Sequence, residues 1–268
     1  MKKKSIQTFI STDFLADNLS KSNFKVIDLR DAEKFKRGHI QGSVHLDNNI
    51  FAQQDEDGLN ILPDREILIN SLQKNGINNN DTIVFVDDVF NLNCSLAAWT
   101  LHYFGNKNVK LLDGAYAKWE IEKKPLTTGK TKLSKGNIKL KEEEESILVT
   151  KDEILISINS EDFLFVDNRS EYALVLDQQG GNIPGAIHFW YLDIFEECPD
   201  YFVLKEDSMI LDELIAKGIK KDKTAVVYCE SAPQSALIYL IMRELGYPDV
   251  RLYLAGYEEW RLIYPFLG

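Results

Sequence analysis

"KTAVVYCESAPQSALIYLIMRELGYPDVRLYLAGYEEW", residues 223–260, holds the pattern that decides the fold. An apolar, β-branched run leads into a short loop of small residues. A stretch with apolar residues at i, i+3 and i+4 follows and stops at Gly246. That order predicts a buried strand handing over to a helix. The same order occurs in "DTIVFVDDVFNLNCSLAAWTLHYFGNKNVKLLDGAYAKW", residues 81–119. Upstream of each lies a second matched pair. "FKVIDLRDAEKFKRGHIQGSVHLD" (24–47) is echoed by "FLFVDNRSEYALVLDQQGGNIPGAIHFWYLD" (163–193). The period is far too long for a solenoid, so the chain reads as a duplicated domain. Strands alternating with helices predict an α/β fold in each half, a mostly parallel central sheet flanked by helices.

The expected boundaries follow from composition. Residues 1–120 form the first domain and residues 149–268 the second. Residues 121–148, rich in Lys, Glu, Gly and Thr, form the linker, with "KEEEE" as a solvated run. The second domain opens on "TKDE" at Thr150, a capping-box sequence ahead of an apolar-periodic helix. "STDFLADNL" plays the same part in the first.

A formal net charge of −11 over 268 residues argues against nucleic acid and anionic membrane as partners. No apolar stretch approaches the ~18 residues of a membrane span. The basic start "MKKKSIQTFISTDFLADNL" is interrupted by Ser, Thr and Asp where a signal peptide needs an apolar core, so a cytoplasmic protein is expected. Three cysteines without CxxC spacing and 4 histidines give no metal or disulfide framework. His39 and His45 belong to one loop region without partners at ligand spacing. No metal and no organic cofactor is expected.

Cys229 stands at the carboxyl end of a predicted parallel strand, where sites form in such sheets. A thiol attacks as thiolate, and half ionisation at pH 7 needs a downward shift of about 1.5 units, roughly 2 kcal/mol. Loop amides converging ahead of a helix can supply it. Ser231 and Ala232 are small, and Pro233 and Gln234 suit a loop entering a helix, although a loop without glycine turns its amides inward less freely. The position matching Cys229 in the first half is Asp87. A core position rarely alternates between Cys and Asp, because burying an unpaired carboxylate costs several kcal/mol. Both are therefore expected at a solvent-accessible loop mouth. Cys94, on an apolar helix, reads as core; Cys198, among acidic neighbours, reads as a poor nucleophile. Trp119 and Trp260, at repeated positions, are expected to pack the sheet edges.

These segments resemble a tandem-domain rhodanese, the thiosulfate or 3-mercaptopyruvate sulfurtransferase family. "VIDLRDAEKFKRGHIQGSVHL" and "FVDNRSEY…GNIPGAIHF" are similar to its Asp-x-Arg and Gly-His-Ile-x-Gly-Ala segments. "LLDGAYAKW" is similar to its Asp-Gly-Gly…Trp segment, and "VVYCESAPQSA" lies at its active loop. The resemblance implies an inactive first domain, with Asp87 at the cysteine position, and a catalytic second domain with Cys229. Glu230, Ser231, Ala232, Pro233 and Gln234 would complete the active loop and lead into Ser235. Arg169 matches the Asp-x-Arg arginine and would support the site through an ion pair or backbone tie. Cys229 would take sulfane sulfur from a small donor, become a persulfide, and pass the sulfur to cyanide, a thiol or a protein thiol.

Several residues depart from that pattern. The loop has no glycine, and Glu230 adjoins the nucleophile. It is either a solvated residue pointing away or, facing inward, a charge that opposes the thiolate. Two charges about 5 Å apart repel by roughly 3 kcal/mol at an effective dielectric of 20. No second arginine follows Arg169, the Gly-His-Ile segment reads Gly181, Asn182, Ile183, and Leu254 replaces an acidic residue that the first half keeps as Asp113. A non-catalytic binding or regulatory module is the alternative these departures suggest. A cysteine phosphatase needs an arginine six residues after the cysteine, where Ser235 stands.

Overall fold

The computed structural model describes residues 6–176 and 181–263. The first half builds a five-stranded parallel sheet in the order Phe9–Ile10, Val109–Leu112, Thr82–Val86, Phe24–Asp28, Val44–His45. The second builds a four-stranded parallel sheet in the order Ile187–His188, Phe163–Asp167, Thr224–Tyr228, Val250–Leu252. Leu148 forms a parallel bridge to Leu252, the place that Phe9 fills against Leu111. Registers coincide: Asp28 lies opposite Val86 and His45, and Asp167 opposite Tyr228 and His188. Continuous apolar runs form these central strands because parallel sheets are covered on both faces.

Helices Leu92–Tyr103 and Pro233–Glu244 follow the central strands and are buried along most of their length. A helix that is apolar nearly all round must be enclosed. Each encloses the other: the two pack together across the halves and join Phe51, Phe85, Trp99, Leu237 and Ile241 in one shared core. The outer face of each sheet carries its own smaller core. One contains Trp119 with Leu15 and Val84, the other Trp260 with Ile154 and Val226. The two tryptophans thus lie fully buried on sheet faces, not at sheet edges. Their indole area is worth more against a whole face than against an edge strand.

Residues 121–148 wrap the first half. Leu126–Thr127 pairs antiparallel with His39–Ile40, Ile138 and Leu140 are buried, and Lys141 donates to the Phe104 carbonyl at 2.9 Å. The acidic run stays mostly exposed, with Glu144 paired to Lys107 at 2.6 Å. Thr150 and Glu153 form the capping box. Among the described residues, no helix is long and apolar enough to cross a membrane.

The Asp-x-Arg motif makes the same tie twice. Arg30 forks onto Asp28, donates to the Gly38 carbonyl at 2.9 Å and lies 3.3 Å over the Tyr116 ring. Arg169 forks onto Asp167, donates to the Gly181 carbonyl at 2.9 Å and lies 3.7 Å over Tyr257. His45 and His188 each bond the carbonyl of their arginine at 2.8 Å. Removing one partner of a buried pair strands the other, at about 3–5 kcal/mol. Arg30→Ala and Arg169→Ala should therefore each lose about 3–5 kcal/mol in urea unfolding. A loss confined to Arg169→Ala would contradict a shared structural role.

Candidate active site

The loop after Tyr228 is held from three sides. The Tyr228 hydroxyl donates to Asp167 Oδ2 at 2.9 Å and accepts from the Ile183 amide at 3.2 Å, which fixes the strand end. The Cys229 and Glu230 carbonyls accept from the Tyr257 and Glu258 amides at 2.8 and 3.2 Å. That contact needs Gly256, which has φ +70°, and where a β-carbon would come within 2.5 Å of the Cys229 oxygen. On the third side, the Asn60 side-chain amide, from the hairpin Gln53–Gln54/Asn60–Ile61 of the first half, donates to the Ser231 carbonyl.

With its carbonyls tied outward, the loop turns amides inward. The backbone amides of Ser231, Gln234 and Ser235, with the Ser235 hydroxyl, lie around the Cys229 sulfur and favour its thiolate. The Ser235 side chain is fully buried. Burial acts the other way and is the larger effect, so the Cys229 thiol sits above its ordinary value. The sequence expectation of a net lowering is thus reversed: the cradle reduces the penalty of burial without cancelling it. Cys229 is 1% exposed. A glycine-free loop reaches this shape because Ala232, ahead of the Pro233–Glu244 helix, adopts φ +84°, ψ −39°, a conformation that a β-carbon disfavours.

The first half repeats the device with the anion built in. Asp87 follows Val86 as Cys229 follows Tyr228, and its carbonyl accepts from the Tyr116 amide at 2.9 Å. Its carboxylate accepts from the amides of Asp88 at 2.7 Å and Asn93 at 3.0 Å. The helix that follows is entered through Asn91 at φ +56°. Burial raises the Asp87 carboxyl despite those amides. Asp87 is 8% exposed, so neither equivalent position is the open loop mouth expected from sequence.

Because the two long helices lie side by side, their loops face one another across a cavity of about 450 Å³. Cys229, Glu230, Ser231, Pro233 and Gln234 line one side; Asp87, Asp88, Val89, Phe90, Leu92 and Asn93 line the other. The structure thus brings the expected loop residues together and adds a wall from the first half. Ala232 and Ser235 lie buried behind the lining. Arg169 does not line the cavity, its guanidinium being committed to Asp167 and Gly181.

The rhodanese-like domain profile matches residues 11–122 and 150–262. This chain is a tandem rhodanese-domain member of the sulfurtransferase family. It is 30% identical over 273 residues to the sulfur carrier protein TtuD of Thermus thermophilus, covering 95% of this chain and 93% of that one. It is 24% identical over 269 residues to the 3-mercaptopyruvate sulfurtransferase of Escherichia coli, covering 94% of each. The structure of SseA from Escherichia coli superimposes with a TM-score of 0.80 at 24% identity, covering 93% of this chain and 98% of that one.

Within this rhodanese fold the remaining candidates fall into place. Cys94 is buried in the shared core, and Cys198 is half-buried on the hairpin Phe195–Cys198/Tyr201–Leu204. His39 bonds two backbone carbonyls, those of Phe35 and Gly129. Among the described residues, no group of three or more His, Cys, Asp or Glu could hold a metal ion. Sequence reasoning missed Asn60, Phe90 and Tyr191. Tyr191 lies near enough to Cys229 that, burial aside, a thiolate there opposes ionisation of its phenol. Asn60 sits outside the repeated segments, whereas Phe90 and Tyr191 lie within them at positions whose approach to the cavity depends on how the two halves pack.

Two expectations test this geometry. Ala232→Gly removes the β-carbon from a disfavoured conformation and should stabilise the protein by up to about 1 kcal/mol in urea unfolding; a clear loss would show that Ala232 is not strained. Folding raises the Cys229 pKa, so the associated stability is complete below the unfolded value and is lost as pH rises through the folded one. Iodoacetamide labelling of Cys229, read by peptide mass, should accordingly reach half its maximal rate above the ordinary thiol value of about 8.5. Half-maximal labelling near neutrality would mean that the amides outweigh burial.

Proposed function

We propose that this protein transfers sulfane sulfur through a persulfide on Cys229. The observation that carries the reading is the ring of amides from Ser231, Gln234 and Ser235 around that sulfur, at the floor of an interdomain cavity. Cys229 thiolate attacks the outer sulfur of a donor. The donor's bond to that sulfur breaks, its electron pair leaves with the remainder, and Cys229 carries one added sulfur. Thiosulfate would release sulfite; 3-mercaptopyruvate would release pyruvate. A thiophilic acceptor such as cyanide, a small thiol or a protein thiol then attacks the outer sulfur and returns the Cys229 thiolate. Fixed amides stabilise the thiolate and the persulfide anion alike, with no reorganisation between the two steps. Asp87 already fills the matching cradle of the first half, which supports a structural role for that half.

A non-catalytic binding module is the second reading, favoured by burial of the thiol and by Glu230 in the cavity lining. Intact-mass measurement separates the two. Incubation with thiosulfate or an organic persulfide should add one sulfur atom to the wild-type protein and none to Cys229→Ser, while Cys94→Ala and Cys198→Ala still load. A Cys229→Ser protein that loads as wild type does would overturn the assignment.

A further inference from the structure

The charge around Cys229 is lopsided. Asp87, Asp88 and Glu230 share the cavity lining with the thiol, and no lysine or arginine does among the described residues. Two nearby cations are already paired with carboxylates. Lys34 pairs with Asp88 at 2.8 Å on the exposed rim. Arg169 is neutralised by Asp167. Around Glu230, burial raises the carboxyl; of its neighbours, Arg169 and Arg261 oppose that rise while Asp167 and Glu258 add to it. Asp87 is stabilised by two amides and by no cation that the structure displays.

The rest of the wall is apolar. Phe90 projects from an aromatic group that includes Tyr191 at 6.2 Å, Phe195 at 5.7 Å and Phe202 at 4.8 Å between ring centroids. Leu92 and Pro233 continue that surface. Aromatic faces beside carboxylates favour an organic cation, whereas thiosulfate or 3-mercaptopyruvate would add negative charge to a lining that holds three carboxyl groups and, among the described residues, no lysine or arginine.

We propose that this cavity selects a small organic persulfide whose carbon skeleton carries an ammonium group, with thiosulfate and 3-mercaptopyruvate as disfavoured donors. The inference rests on Cys229 as the sulfur-accepting residue. The substrate's ammonium faces Asp88 and Glu230, its carbon skeleton lies against Phe90 and Leu92, and its positive charge offsets the carboxylates as the thiol ionises. Cys229 thiolate attacks the outer sulfur of R–S–SH, and the inner sulfur–sulfur bond breaks. R–S⁻ leaves with the electron pair and takes up the proton that Cys229 released. One neutral sulfur atom moves, giving Cys229–S–SH and R–SH.

Freshly prepared persulfides of cysteamine, 2-mercaptoethanol and 3-mercaptopropionate form a size-matched series with a positive, neutral and negative end. Loading of Cys229 is followed by intact mass on the full-length protein, with each rate divided by that for a free thiol in solution. The cysteamine persulfide should load roughly tenfold or more faster than the 3-mercaptopropionate persulfide. Glu230→Gln and Asp88→Asn should each shrink that ratio several-fold, as should raised salt. Equal rates, or faster loading by the anionic donor, would overturn the charge selection and leave the role of Cys229 standing. Loading by none of these persulfides and not by thiosulfate would overturn both.

Discussion

Contact between the helices Leu92–Tyr103 and Pro233–Glu244 is the constraint on which the rest depends. Each is too apolar to face water, so each must be covered, and the two halves cover them with one another. Once they lie side by side, the loops that feed them open toward the same space. The cavity over Cys229 is therefore a by-product of core formation, and half of its wall belongs to the half that carries Asp87 at the matching position. The hairpin that bears Asn60 and the contact from Asp113 Oδ1 to the Leu204 amide at 3.0 Å tie the halves at further points.

The two cradles show one backbone solution with two occupants. A strand end, a carbonyl tied to the next helix start and a positive-φ residue ahead of the long helix turn amides toward a single point. In the first half that point holds the Asp87 carboxyl group, which belongs to the chain and cannot exchange. In the second it holds a sulfur whose charge depends on protonation. Duplication thus left two versions of the same turn, one around a thiol and one around a carboxylate, and the carboxylate version adds negative charge opposite the thiol.

Much of this was legible in the sequence. The repeated order of segments gave two parallel α/β domains, because strand runs buried on both faces and helices ended by glycine are local signals. The Asp-x-Arg motif announced its tie, since residues two apart at a strand end can reach one another without help from the fold. What could not be read was long-range. Asn60 lies 171 positions from Ser231, and nothing local marks it. Glu230 lines the cavity because of where the first half packs, not because of its own neighbours in sequence. The direction of the thiol pKa also depends on that packing, since burial is a property of the assembled pair. The segment 121–148 reads from composition as a linker, and the burial of isolated apolar residues such as Ile138 and Leu140 against the first half depends on packing that composition does not display.

The central claim is that the amides around Cys229 hold the transferred sulfur as a persulfide. A crystal structure of the protein after incubation with a sulfane donor tests it most directly. The account predicts density for one additional sulfur bonded to Cys229 Sγ, within hydrogen-bond distance of the Ser231, Gln234 and Ser235 amides, with the Asp87 cradle unchanged. A donor sulfur bonded to Cys198 with Cys229 unmodified, or loop carbonyls turned toward the Cys229 sulfur in place of amides, would contradict it.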